Sequence, residues 1–309
     1  MDILVVIVGP TGVGKTALSI ELAEQLHCPI ISADSRQIYR EMRIGTATPT
    51  QSELARVRHY FIGTRSIHEP YSAGQYEADA LQIINEQFEL AALRNPETDA
   101  HRLVMTGGSM MYVDAVCNGF DAMPSVDESV RLQVQSDYEK HGLQFLQNEL
   151  RERDPEHYNR VDLQNYRRVM RAVEVCRQTR RPYSELRIGK TADRPFKIVK
   201  IGLDRPRAEL YDRINKRVEQ MIEEGLVEEA RSLYPYRQLN ALNTVGYKEL
   251  FDFFDGKYNM QEAVRLIKQD SRHYAKRQLT WFRADPEIRW FNADEITKDD
   301  IIQIINKQG

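Results

Sequence analysis

The chain has 309 residues, of which 41% are hydrophobic and 29% charged, and its net charge is −3. This composition excludes a disordered or low-complexity chain, and the length allows one or two domains. The three cysteines, odd in number and widely spaced, do not fit a disulfide framework or a zinc knuckle. The apolar run at Ile3–Val8 is too short to span a membrane and lacks the basic segment of a signal peptide. We therefore expect a cytoplasmic protein with no membrane segment.

The first half alternates short apolar runs with longer amphipathic ones, which predicts strands separated by helices. Because parallel strands need such crossovers, the pattern indicates a parallel sheet with helices on both faces. The predicted strands are Ile3–Val8, Pro29–Ala33, His59–Ile62 and Leu103–Thr106. The predicted helices are Ala17–Leu26, Ser72–Leu93 and one that begins after Gly107-Gly108.

The pattern changes at about Met123, and no strand is predicted between Ser125 and Arg187. Helices are predicted there at Val126–Lys140 and Gln164–Gln178. A strand follows at Phe196–Leu203, and the rest is mainly helical, with Pro206–Glu224, Leu226–Leu233, Gly246–Phe254 and Met260–Arg283. We therefore predict an all-helical insertion over residues 123–194 within an α/β core formed by residues 1–122 and 195–309.

A phosphate-binding motif, G-x-x-x-x-G-K-[ST], lies between the first predicted strand and helix. Its residues are Gly9, Pro10, Thr11, Gly12, Val13, Gly14, Lys15 and Thr16. Glycines let such a loop turn its N–H groups inward, and the helix N-terminus adds a positive partial charge. Lys15 supplies a cation for phosphate oxygens, and the Thr16 hydroxyl suits Mg²⁺. The fold class is thus predicted to be α/β, a P-loop NTPase-like parallel sheet flanked by helices.

The position of the acidic residue that follows a strand differs from that in an ATPase. The strand Leu103–Thr106 is followed by Gly107-Gly108-Ser109, without the acid that helps to hold the metal in such enzymes. Asp34 instead follows the second strand, at the sheet edge where the P-loop is expected. It either caps local structure or has a functional role, and its place beside the P-loop favours the functional role. If Asp34 faces an acceptor rather than the metal, it can receive a proton during transfer.

Positive charge is concentrated in two segments. Residues 151–217 contain 19 Lys and Arg against 10 Asp and Glu, and residues 265–283 contain 6 against 1. Arg265, Lys268, Arg272 and Lys276 recur at helical spacing and form one stripe. Such segments either face a polyanion or are solvated helix surfaces, and for residues 151–217 both interpretations stay open.

Several motifs, in order and over almost the whole chain, resemble those of the bacterial tRNA dimethylallyltransferases, also called tRNA isopentenyltransferases. Besides the P-loop, the motifs are Asp34-Ser35-Arg36-Gln37-Ile38-Tyr39, Ile44-Gly45-Thr46-Ala47-Thr48-Pro49, Gly107-Gly108-Ser109-Met110-Met111-Tyr112, Arg167-Arg168 before Arg171-Ala172-Val173-Glu174-Val175, Val245-Gly246-Tyr247-Lys248 and Lys276-Arg277-Gln278-Leu279-Thr280-Trp281-Phe282-Arg283. Family members usually have Lys at the position of Thr48 and Thr at that of Ser109. The histidine match at His59 implies a structural hydrogen bond.

The resemblance implies a transferase that moves a dimethylallyl group from dimethylallyl diphosphate to N6 of the adenosine at tRNA position 37, releasing diphosphate. It implies Mg²⁺ as cofactor, with Thr16 as metal ligand. The implied catalytic residues are Asp34 as base, Lys15, Thr16 and Arg217. A protein partner is not suggested, so we expect a monomer.

By the same resemblance, residues from both predicted domains contact the anticodon loop of tRNA. They are Asp34, Ser35, Arg36, Gln37, Ser109, Arg131, Gln164, Asn165, Tyr166, Arg167, Arg168, Asn243, Gly246, Tyr247, Lys248, Lys276, Arg277, Gln278, Trp281 and Arg283. The target adenine must leave its stack before its amine can react.

Two other functions compete with this transferase. The P-loop alone also suits an ATP-dependent kinase of a small metabolite or nucleoside, and the basic segments suit a non-catalytic RNA-binding protein. The missing acid after Leu103–Met105 and the basic insertion favour the transferase over the kinase. An intact Gly14-Lys15-Thr16 together with Asp34 argues against a non-catalytic protein.

Overall fold

The computed structural model of the chain describes residues 1–97, 100–121, 123–187, 189 and 192–307. The chain divides into two compact units, one formed by Met1–Cys117 with Arg194–Gly309 and the other by Asn118–Asp193. The second unit overlaps the helical insertion that was predicted over residues 123–194, and residue 122, the predicted end of the first core segment, lies outside the described residues.

The first unit is built on a parallel sheet, which in the described part of the chain has six strands in the order β3-β2-β4-β1-β5-β6. The strands are β1 Ile3–Val8, β2 Ile30–Ser32, β3 His59–Tyr60, β4 Arg102–Gly107, β5 Lys197–Asp204 and β6 Arg289–Asn292. The five predicted strands are confirmed, and β3 ends early because Phe61 has a φ of 66°. The sixth, β6, was missed because a four-residue edge strand leaves little pattern.

Helices connect the strands and form the rest of both units. The helices α1–α4 are Lys15–Leu26, Gln51–Arg56, Ala73–Arg94 and Met110–Asn118. The helices α5–α9 are Glu128–His141, Leu143–Arg153, Pro155–Arg160, Tyr166–Thr179 and Tyr183–Leu186. The helices α10–α14 are Arg207–Glu223, Leu226–Leu233, Tyr247–Phe254, Met260–Phe282 and Lys298–Asn306. Of these, α2, α6, α7, α9 and α14 were not predicted as separate helices. No described helix is both long and apolar enough to cross a membrane.

The sheet is buried on both faces, as expected when crossover helices cover a parallel sheet. Along β1, Leu4, Val6 and Val8 belong to one apolar cluster, and Ile3, Val5 and Ile7 belong to another. Burial of each of these six side chains stabilises the folded state by about 1.5–3 kcal/mol, so β1 contributes strongly to the stability of the sheet.

The register brings several strand ends to one edge. Val8, the last residue of β1, lies opposite both Gly107 of β4 and Gly202 of β5, and Ser32 of β2 lies opposite Thr106. The loops after β1, β2 and β4 therefore begin side by side, and this edge carries the P-loop and Asp34.

The second unit has a separate core. Val134, Leu146, Leu150, Val169 and Val173, from α5, α6 and α8, are fully buried in it. Because these side chains come from three helices, the unit has its own apolar centre apart from the sheet.

Arg177 of α8 joins the three main helices of the helical unit. Its guanidinium lies 2.7 Å from Asp137 of α5 and 2.5 Å from Glu149 of α6, and its side chain is only 14% exposed. The two carboxylates raise the pKa of Arg177. Much of the basic excess of residues 151–217 is paired in the same way, as at Arg153 with Glu149.

Candidate active site

The P-loop follows β1 and is fixed by its backbone. Gly12 and Gly14 have φ values of 79° and 114°, in the left-handed region that favours glycine. At Gly9 an added Cβ would lie 2.5 Å from the carbonyl oxygen of Leu203. Larger residues at these positions would therefore strain or displace the loop.

Two arginines that the sequence analysis missed hold the carbonyl groups of this loop. Arg213 Nε donates to the Gly12 carbonyl at 2.8 Å, and Arg205 Nε donates to the Val13 carbonyl at 2.7 Å. These bonds fix the orientation of the loop peptides. Arg213 could have been found, because it lies one helical turn before Arg217 on the same face of α10.

Lys15 is turned back onto its own loop. Its Nζ donates to the carbonyl oxygens of Gly9 and Pro10, both at 2.9 Å. Burial and, to a smaller extent, repulsion from Arg217 lower the pKa of Lys15 to about 8, although Asp34 acts in the opposite direction. An anion bound in the loop would stabilise the charged form, so the site is suited to a polyanion.

A cavity of about 780 Å³ opens over this edge of the sheet. Its lining includes Lys15, Thr16, Asp34 and Arg217, so four predicted catalytic residues share one space. The lining also includes apolar side chains, namely Ile214, Val218, Met221, Leu226 and Ile267. The cavity can therefore hold a molecule with an anionic end and an apolar end.

Asp34 lies in the turn after β2 and uses one oxygen to hold that turn. Its Oδ1 accepts hydrogen bonds from the N–H groups of Arg36 at 2.8 Å and Gln37 at 3.2 Å. Ser109 fixes the next residue, since its Oγ accepts the Ser35 N–H at 2.7 Å. The carboxylate is thus oriented toward the cavity that it lines. The serine at position 109 serves this purpose with its hydroxyl.

Arg217 of α10 lines the cavity and contacts the P-loop. Its Nη1 is 3.5 Å from the Thr11 hydroxyl, and its Nη2 donates to the Ala47 carbonyl at 3.3 Å. Burial lowers the pKa of its guanidinium, and Asp34 counteracts this effect. A guanidinium always carries its charge in proteins, so Arg217 offers a permanent cation beside the P-loop.

Two residues expected to contact tRNA are instead buried in the first unit. Gln278 of α13 is 2% exposed, accepts the Thr11 N–H at 2.9 Å and donates to the Gly108 carbonyl at 2.8 Å. Tyr247 is fully buried, and its hydroxyl donates to Glu229 Oε1 at 2.6 Å. The polar groups of both residues thus have partners inside the protein, and their contact with tRNA stays a prediction.

Few side chains in the cavity could bind a metal ion. Among the described residues, no group of three or more His, Cys, Asp or Glu side chains could hold a metal ion. Mg²⁺ needs no such cage, because it keeps several waters and is held by one or two protein oxygens together with substrate phosphates. The Thr16 hydroxyl lines the cavity and fits that requirement.

Comparison with known proteins decides the family. The model of the IPP transferases matches residues 37–285. The chain belongs to the IPP transferase family. It is 51% identical to "tRNA dimethylallyltransferase 2" of Parabacteroides distasonis over 96% of each chain.

Solved structures agree with this membership. A full-length tRNA isopentenylpyrophosphate transferase from Bacillus halodurans is 38% identical, with a TM-score of 0.70 over 99% of this chain and 95% of that one. A eukaryotic dimethylallyltransferase acting on tRNA is 24% identical and shares the fold, with a TM-score of 0.81 over 99% of this chain and 79% of that one. The predicted P-loop NTPase-like fold and the predicted enzyme class, a transferase, are confirmed.

As a member of the IPP transferase family, the chain was expected to present several polar residues to RNA. In the helical unit, Gln164, Tyr166, Arg167, Arg168 and Arg131 are exposed. The Arg167 guanidinium lies over the Tyr166 ring at 5.7 Å. Asn165 caps α8 by accepting the Arg168 N–H at 3.3 Å. The exposed group at the start of α8 thus combines cations with an aromatic face.

In the first unit, the expected RNA contacts differ in exposure. Asn243, Lys248, Lys276, Arg277 and Trp281 are exposed, whereas Gly246 is buried. Arg36 donates to the Asn240 carbonyl at 3.1 Å, and Gln37 donates to the Thr46 and Ala47 carbonyls, both at 3.1 Å. Arg283 pairs with Asp204.

The basic stripe on α13 is less free than its spacing suggested. Arg265 pairs with Glu262, Lys268 pairs with Glu219 of α10, and Arg272 donates to Asn215 at 2.6 Å. Three of the four stripe residues therefore bind neighbouring side chains, and two of them hold α13 against α10. The pair formed by Arg265 lies within α13, and binding of a polyanion along the stripe stays a prediction.

Proposed function

We propose that the protein transfers a dimethylallyl group from dimethylallyl diphosphate to N6 of the adenosine at tRNA position 37, giving N6-dimethylallyladenosine and diphosphate. The single observation that carries this proposal is the cavity in which the P-loop, Arg217 and Asp34 meet beside apolar side chains. Membership of the IPP transferase family supports the same reaction. We expect it to take place in the cytoplasm, where tRNA is found, with the protein acting as a monomer.

The diphosphate end of the donor is proposed to bind in the P-loop. Its N–H groups and the start of α1 suit phosphate oxygens. Lys15, now bound to the Gly9 and Pro10 carbonyls, would turn to the donor, and Arg217 would contact it from α10. Thr16 would help to hold Mg²⁺, which neutralises charge on the departing diphosphate when bound.

The hydrocarbon end is proposed to lie among the apolar residues of α10 and α13. Val218, Met221 and Ile267 line the cavity there, and five carbons with a double bond match this apolar wall better than a ribose would. As the allylic carbon–oxygen bond breaks, positive charge develops on carbon and negative charge on the diphosphate. The cations of Lys15 and Arg217 stabilise that negative charge, and this stabilisation is proposed to supply most of the rate enhancement.

Asp34 is proposed to accept the proton of the amine. The adenine N6 forms a bond to the allylic carbon, the carbon–oxygen bond breaks, and one N6 proton moves to the carboxylate. Two backbone N–H groups hold Oδ1, so the carboxylate keeps its orientation during the step. A carboxylate is a sufficient base because the amine becomes acidic only as the new bond forms.

The acceptor is proposed to be an unstacked adenine of the anticodon loop. Exposed cations at the start of α8 and along α13 would contact phosphates, while Tyr166 and Trp281 offer aromatic faces to bases. Thr48, which replaces the usual lysine of the family, makes an internal hydrogen bond with Thr46 at 2.9 Å. One cationic contact to substrate is therefore absent here.

The product identifies the reaction. Purified protein is incubated with Mg²⁺, dimethylallyl diphosphate and an unmodified tRNA that carries adenosine at position 37, and the tRNA is digested to nucleosides. We expect N6-dimethylallyladenosine from this tRNA and none from a matched tRNA with guanosine at position 37. Unmodified adenosine after prolonged incubation, with the donor intact, would contradict the proposal.

A further inference from the structure

Glu229 of α11 binds a backbone loop in an unusual way. Its Oε2 accepts the N–H groups of Arg43 and Ile44, both at 2.9 Å, and its Oε1 accepts the N–H of Gly45 at 2.9 Å. The Tyr247 hydroxyl also donates to Oε1, at 2.6 Å. All four donors are neutral, so they orient the carboxylate without cancelling its charge.

The loop held by Glu229 has little freedom. The ring of Tyr247 packs against Gly45 so closely that an added Cβ there would lie 2.6 Å from the ring. Two residues further on, Ala47 has a φ of 49°, in the left-handed region that a residue other than glycine rarely adopts. This conformation persists because the contacts on either side fix it.

The carbonyl group of Ala47 connects this loop to the cavity. It accepts a hydrogen bond from Arg217 Nη2 at 3.3 Å and another from Gln37 Nε2 at 3.1 Å. Arg217 also reaches the Thr11 hydroxyl of the P-loop. A chain of contacts thus runs from Glu229 through the loop to the guanidinium beside the P-loop.

We infer that Glu229, assisted by Tyr247, is a positioning residue that holds residues 43–47 so that the Ala47 carbonyl aims Arg217 at the diphosphate. The inference rests on the proposed function in one respect, namely that Arg217 binds a diphosphate. Glu229 itself does not line the cavity described above. It acts through Arg217, and the link between them consists of backbone groups, the N–H of Gly45 and the carbonyl of Ala47.

The chemistry of glutamine makes a sharp test. In Glu229→Gln, an amide N–H₂ replaces one carboxylate oxygen and faces backbone N–H donors, so the loop loses at least one of its bonds. We expect pyrophosphate, measured by titration calorimetry with Mg²⁺, to bind about tenfold more weakly. Glu228→Gln is the matched control, because it removes the same charge from an exposed position on the same helix. It should bind pyrophosphate as the unchanged protein does.

A double-mutant cycle separates positioning from general damage. If Glu229 acts through Arg217, then Glu229→Gln in an Arg217→Gln background should change pyrophosphate affinity less than twofold, which is about the error of additivity. If Glu229→Gln weakened pyrophosphate binding by the same factor with and without Arg217, the inference would be overturned. Unchanged pyrophosphate affinity in Glu229→Gln alone would overturn it too. Should Glu229→Gln fail to fold, Tyr247→Phe removes one hydrogen bond to the same carboxylate. It should weaken pyrophosphate binding about threefold, again only when Arg217 is present.

Pyrophosphate as the probe keeps this inference separate from the reaction itself. Tenfold weaker pyrophosphate binding in Glu229→Gln, absent when Arg217 is replaced, supports the role of Glu229 even if the protein makes no prenylated tRNA. In that case only the proposed function would fail. Normal prenylation together with an additive cycle would reject the positioning role and leave the proposed function standing.

Discussion

Gln278 and Thr11 lie 267 positions apart in the chain, yet the Gln278 side chain accepts the Thr11 N–H at 2.9 Å. The same amide donates to the Gly108 carbonyl at 2.8 Å and therefore joins the P-loop to the turn after β4. An added Cβ on Gly108 would lie 2.2 Å from the Gln278 amide nitrogen, so the space is fully used. Helix α13, although far from the P-loop in sequence, is thus part of the phosphate site.

Replacing this amide should loosen the P-loop. Gln278→Ala removes the acceptor of the Thr11 N–H and leaves the Gly108 carbonyl only its 3.4 Å contact with the Tyr274 hydroxyl, at a cost of about 1–3 kcal/mol in the free energy of unfolding. We expect a lower melting temperature and weaker pyrophosphate binding. Gln261→Ala, at an exposed position of the same helix, is the control and should change neither quantity. Equal melting temperatures and equal pyrophosphate affinities of the two variants would show that Gln278 does not hold the P-loop in place.

Donor binding should weaken at high pH because Lys15 has a lowered pKa. The pKa of about 8 in the free protein rises when a diphosphate is bound, so binding takes up a proton above pH 8. Full affinity is therefore present below pH 8 and is lost as the pH rises. We expect the Kd for dimethylallyl diphosphate, measured without tRNA, to increase about tenfold from pH 7 to pH 9. Lys15→Arg keeps its charge and should show little change, and a flat profile in the unchanged protein would contradict the assignment.

The base role of Asp34 predicts a selective loss of turnover. In Asp34→Asn, the amide would keep an oxygen for the Arg36 and Gln37 N–H groups but could not accept the amine proton. This variant should lower kcat about 10³-fold, while the Kd values for tRNA and donor change less than twofold. Asp212→Asn, at an exposed position on α10, serves as control. Near-normal single-turnover rates in Asp34→Asn would remove Asp34 from this role.

The helical unit should depend on Arg177. Arg177→Met leaves Asp137 and Glu149 without their shared partner, and we expect the unit to lose about 3 kcal/mol of stability. Hydrogen exchange of amides in α5, α6 and α8 would measure this loss locally. Arg181→Met breaks an exposed pair with Glu185 and should cost less than about 1 kcal/mol. Similar exchange rates in the two variants would show that the network is not important for stability.

Local patterns were enough to predict most elements of the fold. Strand β1 was predicted with its observed bounds because six apolar residues precede a glycine-rich loop, and the P-loop itself is a local motif. The edge strand β6 was missed, since Arg289–Asn292 is short and only partly buried. Helix α2 was missed for a similar reason, as six residues leave no periodic pattern.

The candidate site was predictable only where its residues lie in motifs. The strand-end position placed Asp34 beside the P-loop, and the register of β1, β2 and β4 accounts for this neighbourhood. Glu229 had no local signal, because its partners at residues 43–45 are nearly 190 positions away. Burial of Gln278 and Tyr247 was equally invisible, since motif membership does not distinguish a side chain that contacts RNA from one that holds the site together.

We propose that the P-loop binds a departing diphosphate and that no nucleotide is consumed. The most direct measurement gives the purified protein, Mg²⁺ and unmodified tRNA either dimethylallyl diphosphate labelled in its carbon chain or ATP labelled in its γ-phosphate. We expect label in tRNA from the first and no phosphoryl transfer from the second. Transfer of the γ-phosphate to a metabolite or nucleoside, with no prenylated tRNA, would contradict it.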